Sequence, residues 1–394
     1  MENKDIVLLS TADWDNPFWT NKQHVAVELS RLGYKVFYID SLGLRAPSLN
    51  KKDLTRAIKR IFKMFKAPRH VRENLWVWSP VTLPWNKYKL IRSFNRLYLK
   101  GMIGFWTKYL KFIEKVLWTY NPLTKRLLNL KDYSYVVYHC VDEIKAQPGM
   151  PVSILEESEN ELIVNSDIVF VTAPKLYESR KLLNDRTYYH SNVADFNHFN
   201  TSITEGYERP KDLKNIEGPI LGFIGAISSY KVNFELLSSL AKNRPQYHIV
   251  LIGLVGEGDP NTDVSILENH KNIHLLGPKE YDELPSYLKY FDVALLPNMI
   301  NSYTDNMFPM KFFEYLAAGR KVVSVNLKAI QEFKDYVYIS TTNEEFIEGV
   351  DKALDGDAIP LEKRLELARQ YTYQSRTKKM LDLIENNDNS IYKG

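Results

Sequence analysis

Sulfur chemistry is nearly absent from this 394-residue chain, whose one cysteine is Cys140. A single thiol excludes an intrachain disulfide and a cysteine-rich zinc or iron–sulfur site. Cys140 closes an apolar, strand-like run and reads as a buried spectator. Long hydrophobic runs are missing too. No stretch approaches the roughly 18 apolar residues that a membrane-spanning helix needs. The amino end passes from Met-Glu-Asn-Lys-Asp straight into Ile-Val-Leu-Leu, without the positive segment, long apolar core and small-residue cleavage site of a secretory signal. The expected location is cytoplasmic. A Gly-x-Gly-x-x-Gly dinucleotide fingerprint is also lacking.

What is present fits a folded protein, with 44% apolar and 25% charged residues. The length favours two domains over one α/β core. The net charge of +4 is unevenly spread. Between Lys51 and Lys115 there are 17 Lys and Arg against Asp53, Glu73 and Glu114. That segment is +14 and the remainder −10. Twelve aromatics accompany these cations, among them Phe62, Trp76, Trp85, Phe94, Phe105 and Tyr109. Basic residues around an apolar, aromatic stripe suit an interfacial helix on anionic lipid. Segment 51–115 is therefore expected to meet an anionic membrane surface, placing the protein peripherally on the inner face of the cell membrane. The bland reading is a solvated helix whose aromatics enter the core. Nucleic acid is not an expected partner, because no recognition motif or global basic excess accompanies the patch.

Element signals recur in two series. Residues 5–11 read as a strand, Asn21 to Leu32 as a helix closed by Gly33, and Lys35 to Asp40 as a second strand. This βαβ start argues for a parallel sheet. Helical periods follow over 51–72 and 88–119, where Gly101 and Gly104 are potential breaks. Strands are expected at Tyr135 to Cys140 and Asp167 to Ala173. The polar stretch 201–218 reads as a linker. The pattern then restarts, with strands at Ile220 to Gly225, Tyr247 to Ile252, Asp292 to Pro297 and 321–325. The division is an N-terminal domain over 1–200, the linker, a second domain over 219–370, and a carboxyl-terminal helix over 371–394 that could return to the first. The fold class is α/β, with two Rossmann-like domains facing across a cleft. Ligands of such sheets bind beyond the carboxyl ends of the strands.

The most informative stretch is Phe308-Pro-Met-Lys-Phe-Phe-Glu-Tyr-Leu-Ala-Ala-Gly-Arg-Lys-Val-Val323. It reads as a short helix after a proline, ending at Gly319 and followed by a β-branched strand. Lys311 and Glu314 stand three positions apart, on one helix face. Lys311 lies where an anion would meet backbone amides, so the segment suggests a diphosphate site. Phe223-Ile-Gly225-Ala226 ends a strand, and small residues there let a ligand approach the backbone.

Pro309-Met-Lys311-Phe-Phe-Glu314-Tyr-Leu-Ala-Ala-Gly319 resembles the nucleotide-sugar motif of GT-B glycosyltransferases, in the variant of bacterial polysaccharide enzymes of the family 4 type. His274-Leu-Leu-Gly277, Phe291-Asp292-Val-Ala-Leu-Leu-Pro297 and Gly222-Phe-Ile-Gly225 fit by order and spacing. Asn16-Pro-Phe-Trp19-Thr-Asn-Lys22-Gln23-His24 is similar to the teichuronic-acid and xanthan glucuronosyltransferase type. The resemblance implies that Lys311 contacts the donor phosphates and helps the leaving group depart, that Glu314 holds the ribose, and that Gly225, Ala226, Ser228 and Met310 line the nucleotide. The base would rest near Gly277 to Lys279. The donor would be a nucleotide diphosphate sugar, UDP-linked, and the acceptor a lipid-linked or growing cell-surface polysaccharide. Neither a metal nor another cofactor is called for in this scheme, since a lysine and a helix dipole supply the positive field. The retaining pattern carries another glutamate eight residues before Glu314. Here Asn306 stands there, beside Asp305, and leaves inverting and retaining courses both open.

An inverting transfer needs a general base near the acceptor hydroxyl. Asp142, directly after a strand, is the first candidate and Asp13 the second. Trp19, Lys22, Gln23, His24 and Glu143 are the expected acceptor contacts. His24 and His139 also read as ordinary structural histidines. Two other functions stay open on the sequence alone: a nucleotide-sugar epimerase or hydrolase on the same scaffold, and a non-catalytic sugar-binding or scaffold protein of a polysaccharide assembly complex.

Overall fold

The structure, a computed structural model, describes residues 4–16, 19–42, 66–83, 88–259, 261–356 and 358–391. The chain divides into two units. The first takes the chain up to His190, except Ala173–Lys175, and adds the run from Thr377 onward. The second holds Ser191–Arg376 together with Ala173–Lys175.

The first unit is built on eight strands: β1 (Lys4–Leu9), β2 (Val36–Ile39), β3 (Arg69–Arg72), β4 (Leu75–Trp78), β5 (Glu114–Thr119), β6 (Tyr135–Cys140), β7 (Ile168–Val171) and β8 (Thr187–Tyr189). Their order is β3-β4-β2-β1-β5-β6-β7-β8. All neighbours are parallel except β3 with β4. Buried parallel strands expose alternate residues to two covered faces, which is why they read as near-continuous apolar runs. Ile6, Leu8, Val116 and Trp118 join one core cluster, with Val25 and Leu29 of helix Asn21–Arg31 and Met380 and Ile384 of helix Tyr373–Ile391. Val7, Leu9, Phe37 and Leu117 join the other, with Leu99 and Ile103 of helix Lys89–Tyr109.

The second unit carries β9 (Ile220–Ile224), β10 (His248–Ile252), β11 (Ile273–Leu275), β12 (Val293–Leu296), β13 (Lys321–Val325) and β14 (Tyr338–Ser340). The sheet is parallel throughout, in the order β11-β10-β9-β12-β13-β14. Strand order reverses between β9 and β12, and between β1 and β5 in the first sheet. Each reversal opens a crevice at the carboxyl ends of the strands.

Three expectations change. The helical period over 88–119 covers a helix, Lys89–Tyr109, and then β5. Gly101 and Gly104 lie inside that helix and do not break it. The stop is made at Lys111, which takes φ +56° while the Phe112 N–H donates to the Thr107 carbonyl at 2.9 Å. This is the left-handed helix end that usually needs glycine, so its sequence signal is missing. The stretch 201–218 is not a free linker. Phe199, Leu213 and Ile216 enter the core of the second unit, and Ser202 donates to the Ala318 carbonyl at 3.0 Å. The division accordingly falls after His190 and not near 200. Most of the helical period over 51–72 lies outside the described residues, and its end, Arg69–Arg72, is a strand.

A buried ionic group fixes the far side of the first sheet. Arg180 contacts Glu143 at 2.8 and 2.9 Å and Glu159 at 3.0 Å, and all three side chains are nearly sealed from solvent. The Tyr138 hydroxyl donates to Glu159 at 2.7 Å. Removing one member of such a group leaves charge buried without its partner, which costs about 3–5 kcal/mol. Arg180→Met is expected to lower urea-denaturation stability by about that amount. A loss under about 1 kcal/mol would show that the group is not held as described.

Candidate functional site

The donor side is assembled at the β9/β12 reversal. Turns after three adjacent strands are tied together there. The Gly225 N–H donates to the Ile252 carbonyl at 2.9 Å, Gly253 N–H to the Gly277 carbonyl at 3.0 Å, and Ile227 N–H to the Leu254 carbonyl at 3.1 Å. The backbones approach so closely that a Cβ on Gly253 would stand 1.8 Å from the Gly225 carbonyl oxygen. Glycine is required at 253 by this contact. Gly225, Gly253 and Gly277 thus come together from distant parts of the sequence.

Helix Lys311–Ala317 is positioned against the same strand ends. The Ile224 N–H donates to the Tyr315 hydroxyl at 2.8 Å. Phe308 stacks on Phe313 at 5.4 Å, and Phe313 on Tyr371 at 4.3 Å. These rings wedge one side of the helix into the core. Lys311 and Glu314 occupy another side as an ion pair of 2.5 Å. Glu314 is buried, whereas Lys311 keeps a quarter of its side chain exposed. The carboxylate holds the ammonium at the helix start. Met310, half-buried, is the residue before the helix.

Several expected contacts land differently. Ser228 is fully buried and its hydroxyl donates to the Glu257 carbonyl at 2.6 Å. Its side chain is therefore engaged internally, while Gly225 and Ala226 stay partly exposed. Asn306, where the retaining pattern has a carboxylate, is buried with its amide donating to the Ser302 carbonyl at 2.8 Å. The neighbouring Asp305 pairs with Lys175 at 2.9 Å. Lys279 pairs with Asp212 at 2.6 Å.

One residue that sequence reading passed over is Lys231. It follows the Gly225 turn on β9, and its ammonium lies 5.3 and 5.7 Å from the ring centres of Tyr230 and Tyr303. It is a second cation on the segment that leaves the end of β9, the strand to which Tyr315 ties the Lys311 helix. Its place between a strand and helix Phe234–Asn243 was a usable signal, hidden because no glycine fingerprint surrounds it.

The first unit brings a second set of candidates to the β1/β5 reversal. Asp142 follows β6 and is half-buried. Lys22, near the start of helix Asn21–Arg31, is buried and lies 5.8 Å from the Tyr120 ring centre. Burial drives its amine below the ordinary lysine value, while Asp142 and then Cys140 act the other way. Lys22 and Asp142 thus form one electrostatic cluster. His139 is buried 4.8 Å from the Tyr120 ring, beside Trp118 and Phe170. Trp19 contacts Trp14 at 5.1 Å and His24 at 5.4 Å.

Gln23 and Glu143 do not stand as free acceptor contacts. Gln23 is sealed from solvent, accepts from the Thr20 N–H at 3.1 Å and donates to the Asp13 carbonyl at 3.0 Å. It is the capping-box partner that starts its helix. Glu143 belongs to the Arg180 group. Asp13-Trp14-Asp15 spells an Asp-x-Asp triplet, yet the two carboxylates serve separate partners. Asp13 accepts from the Ser41 N–H at 3.2 Å, and Asp15 pairs with Arg69 at 2.7 Å. Among the described residues no group of three or more His, Cys, Asp or Glu is placed to hold a metal ion.

The Lys22 shift has a defined sign. Between its depressed value and the ordinary 10.5, the unfolded chain holds a proton there that the folded one does not. Stability from this residue therefore rises with pH across that window. Wild type and Lys22→Met compared by denaturation from neutrality to about pH 10 should converge as pH rises, if methionine is the more stable at neutrality. A difference that does not change with pH would show that Lys22 is charged as usual.

The comparisons with known proteins agree with this geometry. Residues 206–377 match the family described as glycosyl transferases group 1. A putative teichuronic acid biosynthesis glycosyltransferase, TuaH of Bacillus subtilis (strain 168), is 29% identical over 273 residues, spanning 64% of this chain and 67% of the relative. Among solved structures, Anabaena HepE in complex with UDP and glucose is similar at a TM-score of 0.68 and 12% identity, covering 97% of this chain and 99% of that one. Sucrose-phosphate synthase of Thermosynechococcus elongatus is similar at a TM-score of 0.66 and 14% identity, covering 98% and 100%. The structural likenesses speak to fold, and the family match speaks to activity. With two Rossmann-like sheets, the Lys311–Glu314 helix at the switch point of the second and a group 1 domain around it, the chain is a GT-B fold glycosyltransferase related to the teichuronic-acid type.

Proposed function

We propose that the protein transfers a sugar from a UDP-linked donor to a lipid-linked or growing cell-surface polysaccharide, on the inner face of the cell membrane. The observation that carries this reading is helix Lys311–Ala317, pinned by Tyr315 to the end of β9 beside the glycine turns. Bond cleavage at the anomeric carbon sends negative charge onto the departing diphosphate. A fixed ammonium and close backbone N–H groups stabilise that charge as it develops. Lys311 supplies the ammonium, with Lys231 as a second cation. Glu314 orients Lys311 and can accept from a ribose diol. HepE, which has been solved with UDP and with UDP-glucose, supports the choice of nucleotide. TuaH, named for teichuronic acid biosynthesis, supports the acceptor class.

On the acceptor side, an inverting course would use Asp142 to take the proton from the attacking hydroxyl. A retaining course would leave that proton to the donor phosphate. Product linkage by NMR decides between them.

Calorimetric titration of UDP tests the donor site. Lys311→Ala is expected to weaken binding by about 10- to 100-fold, the worth of a charge-assisted hydrogen bond. Sugar transfer to extracted lipid-linked glycan should fall at least as far. Unchanged UDP affinity would remove Lys311 from the phosphates. Full donor turnover without any acceptor would replace transfer by hydrolysis.

A further inference from the structure

Four cations converge on one small cavity of the first unit. Helix Lys89–Tyr109 carries Arg92, Arg96, Leu99 and Ile103 at spacings of four, three and four, which puts them on one side. Leu99 and Ile103 are buried against the first sheet. Nearer the helix start, Arg92 and Arg96 carry that side on to helix Thr124–Leu127. Arg92, Ser93, Arg96, Lys125 and Arg126 together line a cavity of about 290 Å³.

Two carboxylates answer these four cations. Lys125 pairs with Glu161 at 3.2 Å and Arg126 with Glu157 at 2.5 Å. Arg92 and Arg96 have no ion-pair partner among the described residues. The group therefore carries an excess of two positive charges. Like charges gathered in this way repel one another, and an anion between them removes that cost.

Both walls of the cavity are held by bonds that do not involve the cations. Asn95, between the two arginines in sequence, is buried; its amide donates to the Leu83 carbonyl at 2.9 Å and its side-chain oxygen accepts from the Leu83 N–H at 2.8 Å. On the other wall Thr124 is buried and its hydroxyl donates to the Asn121 carbonyl at 2.5 Å. The Leu123 N–H donates to the Asn121 side-chain oxygen at 2.8 Å. The cations are thus presented on walls already closed, so an arriving anion meets groups that are in place.

We propose that this cavity is a phosphoanion site, taking a phosphate monoester or a diphosphate. A guanidinium fork meets phosphate oxygens two at a time. An excess of two positive charges matches a dianionic phosphoryl group better than a single carboxylate. The cavity, at about 290 Å³, lies just below the range of about 300–1,000 Å³ usual for small-molecule sites. It has room for a phosphoryl group and its immediate carrier, and not for a nucleotide sugar. The site goes beyond the donor reading: its five residues belong to the first unit, whereas Lys311 and the glycine turns belong to the second. The phosphoryl group arrives either as a free anion or on a carrier such as the diphosphate of a lipid-linked acceptor.

The test is calorimetric titration of inorganic diphosphate into the full chain, with the donor site saturated by UDP. Wild type should bind one further equivalent. Arg92→Gln combined with Arg96→Gln should weaken that binding by about 10- to 100-fold, the worth of charge-assisted hydrogen bonds, and leave UDP affinity unchanged. Without anion, the double variant should unfold at no lower a temperature than wild type, because it relieves repulsion. Diphosphate should raise the unfolding midpoint of wild type alone, by about 2 °C or more over sodium chloride at equal ionic strength. Three outcomes overturn the proposal: unchanged diphosphate binding in the double variant, an equal gain from sodium chloride, or no diphosphate binding by wild type. A double variant that is less stable without anion would make the arginines structural and would overturn it too. Geranyl diphosphate separates the two sources. Tighter binding than inorganic diphosphate assigns the site to a carried phosphoryl group, and equal or weaker binding to a free one. Failure here with normal UDP binding and sugar transfer would leave the enzymatic reading standing. Absence of UDP binding with normal diphosphate binding at Arg92 and Arg96 would do the reverse.

Discussion

The close passage of Gly253 against the Gly225 carbonyl is the constraint on which the donor half depends. A side chain at 253 would occupy the space of that oxygen. With glycine there, the turns after β9, β10 and β11 share backbone hydrogen bonds at Gly225, Gly253 and Gly277. Three strand ends become one surface from which backbone groups can face a ligand. The Tyr315 hydroxyl then fixes the Lys311 helix to the same strand end at Ile224. The fixed cation that can stabilise a departing diphosphate without reorganising, Lys311, is placed by this backbone packing together with Tyr315.

The Lys311–Glu314 pair shows how one contact serves two purposes. Glu314 is buried and would be costly to hold there alone. Lys311 compensates it while staying exposed enough to meet an incoming phosphate. The aromatic wedge of Phe308, Phe313 and Tyr371 keeps the helix from rotating. On the first sheet, burial depresses the Lys22 amine and the charge of Asp142 partly opposes it. The Arg180 group with Glu143 and Glu159 is different in kind, because all three charges are enclosed and face one another.

Much of this was legible in the sequence, and the failures have physical reasons. Buried parallel strands announce themselves as apolar runs, so β1, β6, β9, β12 and β13 were readable. The Lys311–Glu314 spacing was readable because helix geometry is local. The end of the helix at Tyr109 was not, because Lys111 adopts a conformation whose usual marker is glycine. Residues 201–218 read as a linker because their polar composition hides two core side chains, Leu213 and Ile216, and the real division depends on long-range packing. Gln23, Ser228 and Glu143 carry the right chemistry for ligand contacts, but their partners at Thr20, Glu257 and Arg180 are known only once the chain is folded. Lys231 was missed for the opposite reason, since its use depends on the strand order that places β9 beside β12.

The basic aromatic segment separates likewise. Its first part, through residue 65, lies outside the described residues. Its second part divides between core and surface: Leu99 and Ile103 are buried, whereas Leu90, Leu97 and Phe105 are exposed. The central claim, however, concerns the donor surface. The most direct measurement is a crystal structure of the protein with UDP. The account predicts diphosphate density beside the Gly225 turn and within hydrogen-bond distance of the Lys311 ammonium. Diphosphate bound elsewhere, with Lys311 still paired to Glu314 and no ligand at Gly225, would contradict it.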